Sequence, residues 1–115
     1  MTAARKRHPL TPQMIAQIAE VLRAANYLTT AARAVGVPYA TLLRWQTRGR
    51  KERAAGMATL HAQLVDAIDK GSAEAETHAV SVLNRGIEGG DWRAAEFFLA
   101  RRFPQRWGRG RRRRR

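Results

Sequence analysis

The sequence contains no cysteine, which excludes disulfide bonds and thiolate metal sites. Its three histidines, His8, His61 and His78, lack the close spacing of a zinc pair, so neither a metal nor a cofactor is expected. No apolar run approaches the ~18 residues that a bilayer crossing requires, and the N-terminus has no hydrophobic signal core. The expectation is a soluble, intracellular protein with no membrane partner. Catalytic signatures are missing as well: there is no glycine-rich phosphate loop ending in Lys-Ser/Thr, no paired metal-binding carboxylate motif, and no serine with a base close in sequence. Asp66 and Asp69, three apart on a helical stretch, form the one candidate carboxylate pair and read as solvated charge. No catalytic residue is assigned, and no enzyme is expected.

Acidic residues are scarce too, at 9 Asp and Glu against 22 Lys and Arg, for a formal net charge of +13. That balance calls for a polyanionic partner. Its distribution is uneven: residues 1–56 carry a net +8, residues 57–100 a net −4, and residues 101–115 a net +9. Basic ends around an acidic, apolar middle separate nucleic-acid contact from a region suited to self-association. At 115 residues the chain is one small domain, with or without an oligomerisation arm, and its core needs help from a longer helix or a partner subunit.

The densest pattern lies in residues 31–49, AARAVGVPYATLLRWQTRG, which reads as a helix-turn-helix within a DNA-binding domain at 11–53. Ala31, Ala32 and Val35 share a helix face, Gly36 suits the left-handed exit, and Val37 plugs the core. Pro38 fits the first turn of a second helix. Leu42 and Trp45 point inward there, leaving Tyr39, Ala40, Leu43, Arg44 and Arg48 outward toward a major groove of double-stranded DNA. Arg48, Arg50, Lys51 and Arg53 then crowd a glycine-containing linker placed to touch phosphates. Ahead of this domain, residues 1–10 read as a flexible basic arm, with Arg5, Lys6 and Arg7 able to follow a minor groove. Thr11 caps a first helix with Pro12 at its start, and Ile15, Ile18, Leu22 and Ala25 recur at helical spacing. Asn26 is the expected left-handed exit, and Thr29 or Thr30 the cap of the next helix.

Residues 57–88 change to a long helical stripe of Met57, Leu60, Leu64, Ile68, Gly71, Ala75, Ala79 and Val82. A single helix of that span is roughly 48 Å long, more than a small core covers, so the stripe reads as an oligomerisation surface. Gly71-Ser72 leaves two forms open, one helix or an antiparallel hairpin. Gly89-Gly90 ends the segment and Asp91 caps a C-terminal helix within 91–108, with Trp92, Ala95, Phe98 and Leu99 on its apolar face. Residues 109–115 read as a disordered arginine-rich tail. The fold class expected from these elements is all-α.

With TLLRWQTRG at residues 41–49 and the acidic AEAE at 73–76, the segment DWRAAEFFLARRFPQRWGR at 91–109 resembles the small subunit of tailed-phage terminases. The resemblance spans roughly residues 11–109, and its C-terminal segment is the more specific part. It implies a non-enzymatic DNA-packaging factor, assembled as a homo-oligomer, commonly a ring. Such a factor recognises viral DNA where packaging starts and regulates the large-subunit ATPase and nuclease in the cytoplasm of an infected bacterial host. By position, Tyr39, Ala40, Thr41 and Arg44 would face DNA, and Leu60, Leu64, Ile68, Ala75, Ala79 and Val82 would build the ring. Many members of that family continue into a C-terminal segment, often β-structured, that engages the large subunit; here arginines follow Trp107. A sequence-specific transcriptional regulator or a transposase-type DNA-binding subunit is the alternative, expected as a dimer on a palindromic site.

Overall fold

The computed structural model describes residues 9–108 and is all-α, with six helices and no strand among the described residues. The expected basic arm at 1–10, apart from its last two residues, and the arginine tail at 109–115 lie outside the described residues. Two compact units divide at Glu76 and Thr77, and the fourth helix contributes to both.

In the first unit, α1 (Pro12–Arg23) starts as its sequence dictates. The Thr11 hydroxyl accepts from the Met14 N–H at 3.2 Å, and Pro12 occupies the first turn, where its missing N–H leaves nothing unpaired. The helix exit differs from expectation. Ala25, not Asn26, takes the left-handed conformation at φ 67°, while the Asn26 side-chain amide donates to the Val21 carbonyl at 3.1 Å. Asn26 thus closes the helix with its side chain from the far side of the turn. Helix α2 (Leu28–Val35) begins after Tyr27, so Thr29 and Thr30 sit inside its first turn rather than capping it. Gly36 leaves it at φ 77°, and the Val37 N–H donates back to the Ala32 carbonyl at 3.1 Å.

Helix α3 (Tyr39–Ala54) follows at once and runs through Gly49, so the stretch expected as a linker after Arg48 is helical. It turns out at Gly56, φ 78°. The Thr59 hydroxyl accepts from the Ala62 N–H at 3.1 Å and caps α4 (Leu60–Glu88), an unbroken helix in which Gly71-Ser72 makes no hairpin. Ile18, Leu22, Ala31, Ala32, Val37, Leu42, Trp45, Leu64 and Ile68 form one buried cluster, with Leu60 packed against it. This corrects the expected oligomerisation surface: Leu60, Leu64 and Ile68 are core of their own chain. The reason is size, because three short helices cannot bury their apolar faces without a fourth.

Two glycines let α4 in. A Cβ on Gly49 would lie 2.1 Å from the His61 carbonyl oxygen and 2.6 Å from Val65 Cγ2, and one on Gly71 would lie 3.0 Å from the Ala19 carbonyl oxygen. Close crossing, rather than helix termination, is what each provides.

The second unit holds the end of α4, then α5 (Trp92–Arg102) and α6 (Pro104–Trp107). Gly90 turns the chain at φ 90°, and the Asp91 carboxylate accepts from the Arg93 and Ala94 N–H groups, the expected cap. Ala75 is half-buried in the first unit, whereas Ala79 and Val82 in the second are exposed.

Gly49→Ala should destabilise the protein by about 3 kcal/mol, because the new methyl meets backbone rather than a movable side chain. Gly36→Ala, where open space leaves only the positive φ to resist a side chain, should cost about 1–2 kcal/mol. Urea midpoints for the two variants check the order.

Candidate nucleic-acid interface

Helix α3 presents two faces. Thr41, Leu42, Trp45, Gln46 and Gly49 are buried, while Tyr39, Ala40, Leu43, Arg44, Thr47, Arg48, Arg50 and Lys51 are exposed. Leu43, Arg44, Thr47, Arg48 and Lys51, three or four apart, line a shallow concavity of about 430 Å³. The strip sets three cations beside an apolar side chain and a hydroxyl on one exposed helix face. Thr47 is the member that sequence reasoning missed. Its signal was the spacing itself, four beyond Leu43.

Thr41 is a correction. At 6% exposure it is not available to a ligand, since it falls on the line of Thr41, Trp45 and Gly49, each four residues apart, on the buried side of α3. Its role is indirect: the Arg44 guanidinium donates to the Thr41 hydroxyl at 3.2 Å, which fixes where that cation points. Arg53 extends the same line and is the second correction. Its guanidinium bridges Asp66 at 2.9 Å and Asp69 at 3.0 Å, and the two carboxylates, Asp66 foremost, raise its pKa further above the ordinary value. The carboxylate pair is exposed, as expected of solvated charge, and both members also pair with Arg53 from α3 to α4.

Arg48 both lines the concavity and pairs within α3. Its Nε donates to Glu52 at 2.7 Å, and the Thr59 hydroxyl donates to the other oxygen of the same carboxylate. The Arg48 hydrogen bond, then that from Thr59, holds Glu52 below the usual carboxylate range. Arg44, Arg50 and Lys51 have no carboxylate partner among the described residues, so their charge faces solvent unopposed.

No grouping of histidine and carboxylate side chains suited to a metal ion occurs among the described residues, and no helix there is long and apolar enough to cross a membrane. No family model matches the chain, and no curated protein or solved structure matches it either.

Behind the interface His61 meets Trp45 edge-on, ring centroids 6.4 Å apart. Burial holds its imidazole below the ordinary value of 6.5, the Arg48 charge acts the same way, and Glu52 opposes. As pH falls below 6.5 the unfolded chain therefore takes up the proton before the folded one does. This histidine contributes stability that is complete above that value and is lost as pH falls through the lower folded value. The urea midpoint should drop between pH 7 and pH 5, and His61→Phe should flatten that drop. Glu52, already held below 4.5, titrates outside this window.

Proposed function

We propose that the chain is the DNA-binding subunit of a viral genome-packaging machine, a terminase small subunit, with α2, the Gly36 turn and α3 acting as its helix-turn-helix. The observation that carries this reading is the outward face of α3, where Arg44, Arg48 and Lys51 flank Leu43 and Thr47 on a helix whose opposite face is locked into the core. A rigid helix presenting cations beside apolar and hydroxyl groups is the arrangement that reads base edges in a major groove while holding the backbone. The resemblance of residues 91–109 to the terminase small subunit adds the packaging role.

Self-association belongs to this proposal, with its location changed. Leu60, Leu64 and Ile68 are occupied by their own core, so apart from Met57 at its start the stripe is free in its later members: Ala79 and Val82, both exposed, with Ala75 half-buried before them. In such an assembly weak single contacts to DNA add through effective concentration. The protein itself would be non-enzymatic, present DNA to the large-subunit ATPase, and work in the cytoplasm of an infected bacterium.

Arg44→Ala should lose ~1–3 kcal/mol of discrimination between a selected duplex and a random one. Lys51→Ala and Arg50→Ala should weaken both duplexes alike, each lowering the slope of log affinity against log salt by about 0.9. Equal losses on both duplexes for Arg44→Ala would reassign it to phosphate contact.

Light scattering on an Ala79→Asp/Val82→Asp variant should show a lower native mass with helicity unchanged, whereas Leu64→Asp should unfold the first unit. A monomeric parent protein would remove self-association from the proposal. Mixing the protein with the large subunit encoded beside its gene should alter ATP hydrolysis in the presence of DNA. No change, together with dimeric binding to a palindrome near a promoter, would favour a transcriptional regulator or transposase-type subunit.

A further inference from the structure

The second unit carries large apolar side chains that its own packing leaves uncovered. No residue of α5 or α6 is buried, and Trp92 is 67% exposed, Phe97 50% and Trp107 53%. These three rings, with Arg93, Arg101 and Glu96, line an open groove of about 560 Å³ formed within that unit. The guanidiniums sit against the rings: Arg101 lies 4.4 Å from the Phe97 centroid, Arg93 5.6 Å from that of Trp92, and nearby Arg102 5.1 Å from that of Phe103.

We infer that this groove is a second nucleic-acid site, specific for single strands, in which unpaired bases stack on Trp92, Phe97 and Trp107 while Arg93 and Arg101 hold the phosphates. The inference rests on side chains separate from those of α3 and does not need the packaging role.

Three features select this occupant. Bases within a duplex already stack on one another, so two exposed indoles find a free π-face only on a single strand. The cations are all arginine, with no lysine in residues 92–108, and arginine both stacks on planar rings and forks onto phosphate. Charge is the third feature. Arg93, Arg101, Arg102 and Arg106 have no carboxylate ion-pair partner among the described residues, and Glu96 is the one acid in the groove. A second copy of this chain is a poor source of counter-charge. Its Glu20, Glu52, Asp66, Asp69 and Glu74 are already paired with Arg23, Arg48 and Arg53, its Asp91 caps α5, and the three carboxylates left, Glu76, Glu88 and Glu96, belong to a chain of net charge +13 that repels its own copy. A polyanion supplies that charge along its whole length.

Tryptophan emission of the full-length protein tests the site, because Trp45 is buried in the core at 8% exposure and only Trp92 and Trp107 are open to stacking. Titration with single-stranded 12-mers of deoxyadenosine and of thymidine should quench emission, the purine strand binding more tightly because its bases offer larger faces. Inorganic polyphosphate, which has charge and no bases, should bind without that quenching. Trp92→Ala and Trp107→Ala should each weaken single-strand affinity by about fivefold to 150-fold, and Trp107→Phe should recover part of the loss. The inference is overturned if both tryptophan variants bind single strands as tightly as the parent, which would mean attraction by charge alone. It is equally overturned if emission depends on protein concentration and not on added strand, which would mean that another copy covers the indoles.

Discussion

The first unit depends on how closely α4 approaches its neighbours. Where it passes α3, the His61 carbonyl oxygen occupies the space a side chain at Gly49 would need, and where it passes α1, Gly71 leaves room for the Ala19 carbonyl and Leu22. Backbones that near one another bring Leu64 and Ile68 into one cluster with Ile18, Leu22 and Leu42 and set Val65 against Gly49, and dispersion at that range decays steeply with distance. Leu64 and Val65 are essentially without solvent contact as a result. The outward face of α3 inherits its rigidity from this packing. Its inner face has no room to roll, so the position of Leu43 and Arg44 is set by what lies behind them.

Polar contacts at the same crossing reinforce its register without adding much energy. Arg53 reaches two carboxylates on successive turns of α4, and Glu52 meets the hydroxyl that caps that helix. Exposed ion pairs of this kind contribute little individually. Their geometry matters more: they sit one turn beyond Gly49 and oppose sliding of α4 along α3, a motion that a purely apolar contact resists weakly.

What could be read from the sequence was what depends on neighbours in the chain. Thr11 with Pro12, the Gly36 exit and the Asp91 cap are satisfied within three or four residues, and each stands where the sequence reading put it. The failures share a different cause. Gly49 looks like a break, and Gly71 leaves a break open beside the continuous helix, because glycine ends helices in isolation, whereas here each answers to a carbonyl far away in sequence. Leu64 and Ile68 look like surplus apolar area until the three short helices before them are found to need a lid. Thr41 and Arg53 were placed by polarity, yet the four-residue line through Trp45 and Gly49 carries Thr41 into the buried side of α3 and Arg53 to the carboxylates of α4. Ala25 had no local signal at all. On the outward face the reading found Arg44 and Arg48 because charge marks them, and passed over Thr47, which is uncharged and marked only by its spacing four beyond Leu43.

Glu52 stands between that face and the start of α4, and its two oxygens make it a junction. One is held by Arg48, which is exposed, and the other by Thr59, whose hydroxyl also receives the Ala62 N–H. Any anion that draws Arg48 away leaves the carboxylate dependent on Thr59 alone and strengthens its claim on that hydroxyl. Occupation of the α3 surface and order in the first turn of α4 are therefore thermodynamically coupled. By reciprocity, whatever loosens that turn must alter the affinity of α3 for any such anion by the same factor.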